Sequence, residues 1–390
     1  LPVLTRYLTT KDYGIVSMFF LLASVVGVFV GVNVHGAIQR EYFNKDRINF
    51  KEYVANCLII LVVTSLITTI FIYLFSSFIE KVSGVPFNLF WCVLLLSFYQ
   101  FVFMSLLVIY QAQMNAFIYS MFQISLTMIN VLLSLLFVVS FKWGYLGRVY
   151  GQFFAYFILG NICLLILLLK YSEFKLNFDY IKRALNFGIP LIPHTLGGIL
   201  IAMIGRFIVN INLGLEQTGI YTVGLQIGMI IEILASSFNK AYSPWLFDKL
   251  NKNDFIIKLK IVKFTYLYFV AIILISILLG YIAPYLLKVL VGKEFQKSSN
   301  LILWIALGNA FSGMYYMVTN YIFYTYKTYL LSVITFFCGL LNILITYILI
   351  KYLKLIGAAQ AFMIANFMLF ILTWYLSSKV YKMPWRFQKV

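Results

Sequence analysis

Charge is scarce in this 390-residue chain, where only 11% of residues are Asp, Glu, Lys or Arg against about 25% in a soluble domain. Acids number 12, and there are two histidines, four cysteines and seven prolines. The acids form no paired Asp motif of the kind that metal-dependent prenyl or glycosyl transfer uses. His35 and His194 stand apart from acids and cysteines at metal-ligand spacing, so no metal site is expected. Cys57, Cys92, Cys163 and Cys338 each lie in an apolar run without CxxC spacing, which predicts buried thiols. No GxxxxGK[ST] loop is present, so nucleotide hydrolysis by this chain is not expected. No cleavable signal peptide is visible. Catalytic residues and cofactors are therefore expected to be none.

What is abundant is apolar text: 63% of residues are hydrophobic, 19% aromatic, and the mean hydropathy is +0.95. A soluble fold must cover its exterior with polar groups and has no place for this much apolar surface. The composition predicts an all-α polytopic membrane protein. Its net charge of +18 comes from bases between apolar runs, which reads as membrane topology and not as a nucleic-acid surface.

A helix needs about 20 apolar residues to cross the hydrocarbon core. Eleven spans satisfy this: 13–35, 53–79, 87–110, 117–140, 146–169, 187–211, 219–239, 264–283, 299–324, 329–350 and 356–378. Residues 1–5 look like the end of another. One set of alternate loops, with the C-terminal tail, holds nineteen bases and includes Arg40, Lys182 and Lys260. The other set holds ten, among them Arg6, Lys142 and Arg148. The positive-inside rule places the richer set in the cytoplasm.

The halves resemble one another at a nearly constant offset. Ser120, Asn130 and Ser134 reappear as Ser332, Asn342 and Thr346, each 212 residues later. The run Gly144–Gly147 is answered by Lys354–Gly357, and Arg6 with Asp12–Gly14 by Arg206 with Thr218–Tyr221. The expected fold is two six-helix bundles, 1–175 and 176–390, related by a pseudo-two-fold axis along the membrane normal. The first helix is truncated in this reading. Roughly 17 residues of it, with a short cytoplasmic start, should precede Leu1, which gives twelve spans with both termini inside.

Polar residues at membrane depth are the candidate site, because each is costly unless paired or functional. Arg206 follows the charge-free segment 184–205 and either snorkels to the interface or binds an anion. Its repeat partner Arg6 suggests two guanidiniums facing one cavity as a clamp for phosphate or pyrophosphate. His194 is either a third anion contact or a packing residue. It lies in a stretch with Pro190, Pro193, Gly197 and Gly198, which predicts a kinked or interrupted helix acting as a hinge. Glu232 is the one acid well inside a span, a candidate for ion or proton coupling or for a structural pair with an arginine. Asn130 and Asn342 read as interhelical hydrogen-bond partners or as cavity lining.

Several of these segments resemble a known family. Leu1–Gly14 (LPVLTRYLTTKDYG) is similar to the opening motif of polysaccharide flippases of the Wzx type. Gln39–Phe43, Phe187–His194, Gly219–Tyr221, Ser243–Trp245 and Ile356–Ala359 also resemble family signatures. Such flippases belong to the multidrug/oligosaccharidyl-lipid/polysaccharide exporter superfamily, whose two six-helix bundles surround a cationic cavity. The resemblance implies a multi-pass protein of the bacterial cytoplasmic membrane that flips an undecaprenyl-pyrophosphate-linked oligosaccharide by alternating access. Its partners would be that lipid, the surrounding membrane lipids and a polysaccharide polymerase with its chain-length machinery. One departure stands out: many relatives carry Asp-Arg at the end of the seventh helix, where this chain has Gly205-Arg206.

Two other readings remain open. A drug/cation antiporter of the same superfamily would favour acidic cavity residues, and only Glu232 offers one. A membrane-embedded polymerase or polyprenyl transferase would be expected to carry a large polar outer loop, and the longest here is about 15 residues.

Overall fold

The computed structural model describes residues 2–252, 254–325 and 329–385, without the side chains of 194, 201, 244, 251, 329, 330 and 332. Among these residues there are helices and turns and no strands. The helices start where short polar side chains can accept the first free backbone N–H groups. Thr9 forms a full capping box with Asp12 at the head of α2 (Thr10–Phe29). Asn49, Asn115, Asn177 and Asp254 cap α4 (Phe50–Leu74), α7 (Ala116–Leu135), α9 (Phe178–Gly188) and α11 (Phe255–Leu290). The remaining helices are α1 (Leu4–Tyr7), α3 (Val34–Tyr42), α5 (Ser76–Ser83), α6 (Phe90–Ala112), α8 (Gly144–Lys170), α10 (Leu191–Asn251), α12 (Ser299–Tyr324) and α13 (Tyr329–Val380).

Nine helices among the described residues are long and apolar enough to cross a membrane. Two of them are about twice the needed length and break inside. α10 breaks at Gly214 (φ 84°), and a Cβ on Gly205 would stand 2.8 Å from the Tyr221 hydroxyl. Sixteen residues along a straight helix would be about 24 Å apart, so α10 folds back on itself there. α13 breaks at Lys354 (φ 52°), and a Cβ on Gly357 would collide with the Leu349 carbonyl. Each long helix is thus two spans, in line with the segments 187–211, 219–239, 329–350 and 356–378.

The pattern of exposure is that of a multi-pass membrane protein. On α11, Leu267, Val270, Leu274 and Leu278 form an exposed apolar stripe at helical spacing, while Thr265 and Ser276 are buried. Lipid can cover such a stripe, and water cannot do so cheaply.

Contacts divide the chain into two units, residues 3–199 and a C-terminal unit from residue 200 onward. The boundary therefore falls later than the 175/176 division read from the repeat. The reason is local: Asn56 of α4 donates to the Lys175 carbonyl at 2.9 Å and accepts from the Asn177 N–H at 3.0 Å. Tyr180 on α9 accepts from the Asn49 N–H, which ties 176–188 to the N-terminal unit.

The repeat has a structural counterpart inside each unit. In the N-terminal unit Ser134 donates to Asn130 at 3.2 Å, and Gly147 abuts the Phe137 backbone. In the C-terminal unit Thr346 donates to Asn342 at 3.1 Å, and Gly357 abuts Leu349. Each pair keeps its offset of 212 on one helix and 210 on the next.

The span 13–35, read as one helix, is broken. Gly31, Val32 and Asn33 follow one another at φ 73°, 48° and 55°. A β-branched residue in the left-handed region costs roughly 1–3 kcal/mol and persists only when its neighbours enforce it. Here Thr64 accepts from the Gly31 N–H at 2.9 Å, Phe101 covers Gly31, and the Val32 carbonyl rests on Gly188. Gly188→Ala should therefore lose about 1–3 kcal/mol, because backbone must move to admit the Cβ. Gly198→Ala, which meets open space, should be neutral or slightly stabilising. Melting temperatures of the two variants in one detergent check the contrast, and equal values would contradict it.

Candidate functional site

Arg206 lies in the first arm of α10, eight residues before the Gly214 break. Its side chain is partly buried, and its Nε is sealed from solvent without a hydrogen-bond partner. Tyr221, returning in the second arm, is buried and interacts electrostatically with the guanidinium. The Tyr221 hydroxyl approaches the Ala358 carbonyl at 3.5 Å. Gly205 is what lets Tyr221 come so near, so the glycine standing before Arg206 has a packing role. A charged donor aimed at nothing is costly, and in a native protein it calls for an explanation.

Arg6 stands in different surroundings. It sits in the four-residue α1 with its side chain exposed, and it belongs to the N-terminal unit. The side chain of His194 lies outside the described residues. Around it, the helix interruption falls at Ile189–Pro190, between α9 and α10. Pro193 is in the first turn of α10, where its missing N–H has no cost, and Gly197 and Gly198 continue the helix.

Glu232 forms a compact cluster in the C-terminal unit. Tyr316 of α12 donates to its Oε1, while its Oε2 is sealed from solvent without a partner. Tyr268 of α11 interacts electrostatically with the same carboxylate, and its own hydroxyl is also sealed without a partner. Gly313 makes room for it, since a Cβ there would stand 2.9 Å from the Tyr268 hydroxyl. Polar contacts flank the cluster along the same helix pair. Asn309 donates to the Gly228 carbonyl and Asn320 to Asn239, both at 2.9 Å. The partner of Glu232 is thus a phenol and not an arginine.

The structure adds a residue that the sequence placed among loop bases. Arg148 is on α8, partly buried, and donates to Asn130 Oδ1 at 3.0 Å, Ser134 Oγ at 3.2 Å and Gln152 Oε1 at 3.1 Å. Its guanidinium stands 5.1 Å from the Phe20 ring centre. All of these partners are neutral, so a cation is held in the N-terminal unit by dipoles and an aromatic face. Asn130 is therefore part of an arginine-binding cluster. The sequence hint was the Arg148/Gln152 spacing of four on one helix, opposite the recurring Asn130/Ser134 pair.

The family profile described as "polysaccharide biosynthesis protein" matches residues 1–249. This chain belongs to that family. Among curated relatives, it is 23% identical over 399 residues to "Lsg locus putative protein 1" of Haemophilus influenzae, covering 98% of this chain and 94% of the relative. It is 22% identical over 414 residues to "capsular polysaccharide biosynthesis protein CapF" of Staphylococcus aureus, with the same coverage. Among solved structures, it is similar to the lipid II flippase MurJ in an inward closed conformation. The TM-score is 0.78 and the identity 15%, over 97% of this chain and 84% of that one. It is also similar to an inward-facing multidrug resistance MATE family transporter of the MOP superfamily, with a TM-score of 0.65, 18% identity and coverage of 97% and 92%. At these identities the structural likeness establishes the fold alone, which this chain shares with those two proteins.

Proposed function

We propose that this family member is a flippase that carries an undecaprenyl-pyrophosphate-linked oligosaccharide across the cytoplasmic membrane by alternating access, for surface polysaccharide synthesis. The observation that carries this reading is the polysaccharide biosynthesis family match over residues 1–249, borne by a multi-pass fold shared with transporters. The buried polar groups suit the task. Arg206 offers a desolvated guanidinium for a phosphate oxygen, and Arg6 a second, more accessible one. Glu232 offers a charge-carrying group for coupling. Charge held at depth serves binding and translocation, and we read the chain as a transporter and not an enzyme. The bases of the richer loop set and the C-terminal tail face the cytoplasm in this reading.

The test is leaflet exchange in vesicles containing the purified protein and the lipid-linked sugar pool of its source strain. Transfer of the sugar to the opposite leaflet should be accelerated over protein-free vesicles. Efflux of cationic dyes without any effect on the lipid-linked sugar would favour the antiporter reading instead.

A further inference from the structure

The break in the first described span lies beside a cleft that the function above does not use, its wall apolar for the most part with several polar groups set into it. It has a volume of about 190 Å³, and Asn33, His35, Ser97, Gln100, Phe101 and Thr195 line it, all within the N-terminal unit. That is the share of about six waters, and roughly the room of one pyranose ring. The strained turn Gly31–Val32–Asn33 places both Asn33 and His35 at the cleft. Asn33 Nδ2 donates to Thr195 Oγ1 at 3.3 Å, which holds the amide in place. The His35 ring stands edge-on to Phe101, with centroids 5.7 Å apart, and its Nδ1 is sealed from solvent without a partner.

The chemistry of this lining narrows what it can receive. None of the lining residues is charged at neutral pH with His35 unprotonated, so a pyrophosphate or a metal ion finds no counter-charge. A prenyl chain would suit the apolar part of the wall but leave the Asn33 and Gln100 amides facing hydrocarbon, at a cost in unpaired polar groups. A sugar ring meets both conditions. Its hydroxyls donate and accept as amides and imidazole do, and its C–H face packs on an aromatic ring. Backbone strain also gathers at ligand clamps, where the surrounding structure enforces it.

We propose that this cleft binds one sugar residue of the lipid-linked saccharide and so contributes to which saccharide is accepted. The proposal rests on the flippase reading, and the experiment separates the two. Lipid-linked saccharide is extracted from source-strain cells deleted for this chain, and binding to purified protein is compared with that of bare undecaprenyl pyrophosphate. Wild type should prefer the glycosylated carrier. Asn33→Gly keeps the left-handed backbone but removes the amide, and Gln100→Leu keeps the shape but removes the polar group. Each should reduce that preference about tenfold, as the loss of a buried hydrogen bond to a ligand does, while bare-carrier binding stays unchanged. Amide hydrogen exchange over 27–37 should slow with the glycosylated carrier and not with the bare one, a readout that needs no variant. If saccharide accumulates in the deletion strain but both variants keep the wild-type preference and exchange is unaffected by the sugar, the cleft proposal falls and the flippase reading stands. If no lipid-linked saccharide accumulates, the flippase reading itself falls, and the cleft proposal with it.

Discussion

Arg206→Ala should weaken binding of the pyrophosphate carrier by roughly 10- to 150-fold, with protein levels near wild type. The range follows from one charge-assisted hydrogen bond in a partly desolvated site, worth about 1.5–3 kcal/mol. Arg206 has the feature that makes such a loss large, a sealed Nε that no protein atom satisfies. Removing it takes away an Nε donor that pairs with no protein acceptor, so the loss should appear in binding more than in folding. Arg206→Lys keeps the charge but loses the planar fork and should restore binding only in part. Arg6→Ala should have a smaller effect, because its side chain is exposed and water screens what it offers. The measurements are carrier binding by the purified variants and complementation of export. Wild-type binding and export by Arg206→Ala would return this residue to an interface anchor.

The positions of the spans were legible because hydrocarbon thickness dictates their length. The two breaks that turn long helices into pairs could also be read. Gly214 lies in the polar run Asn212–Gln217, and Lys354 lies between two charge-free stretches. The break at Gly31–Asn33 could not. Val32 favours extended or helical backbone, and what forces it into the left-handed region comes from Thr64, Phe101 and Gly188, far away in sequence. Tertiary contacts overrode a local preference that pointed to a continuous helix.

The site divides along the same line. Arg206 and Glu232 stand out in sequence because charge is rare inside apolar text. Their partners do not, since Tyr316 is 84 residues from Glu232 and is one of 29 tyrosines. Arg148 was misplaced for the opposite reason. It lies near a span end among other bases, and only its contacts with Asn130, Ser134 and Gln152 separate it from a loop residue.

Glu232→Gln should abolish the stimulation of flipping by an ion gradient while leaving carrier binding intact. If one charge moves through the membrane per cycle, a potential of 100 mV contributes about 2.3 kcal/mol, or roughly a 50-fold bias in the leaflet ratio at steady state. An amide fills the same space as the carboxylate and can still accept from Tyr316, so packing should survive. It neither carries a negative charge nor releases a proton, so the bias should collapse to the level seen without a gradient. Tyr316→Phe removes only the donated hydrogen bond and should weaken the response without abolishing it. Vesicles with an imposed pH gradient and, separately, an imposed sodium gradient identify the ion, because only one should drive wild type and neither should drive Glu232→Gln. The Glu232–Tyr316 contact would be structural alone if the variant followed the driving gradient as wild type does, and its sealed second oxygen would then carry no part of the cycle.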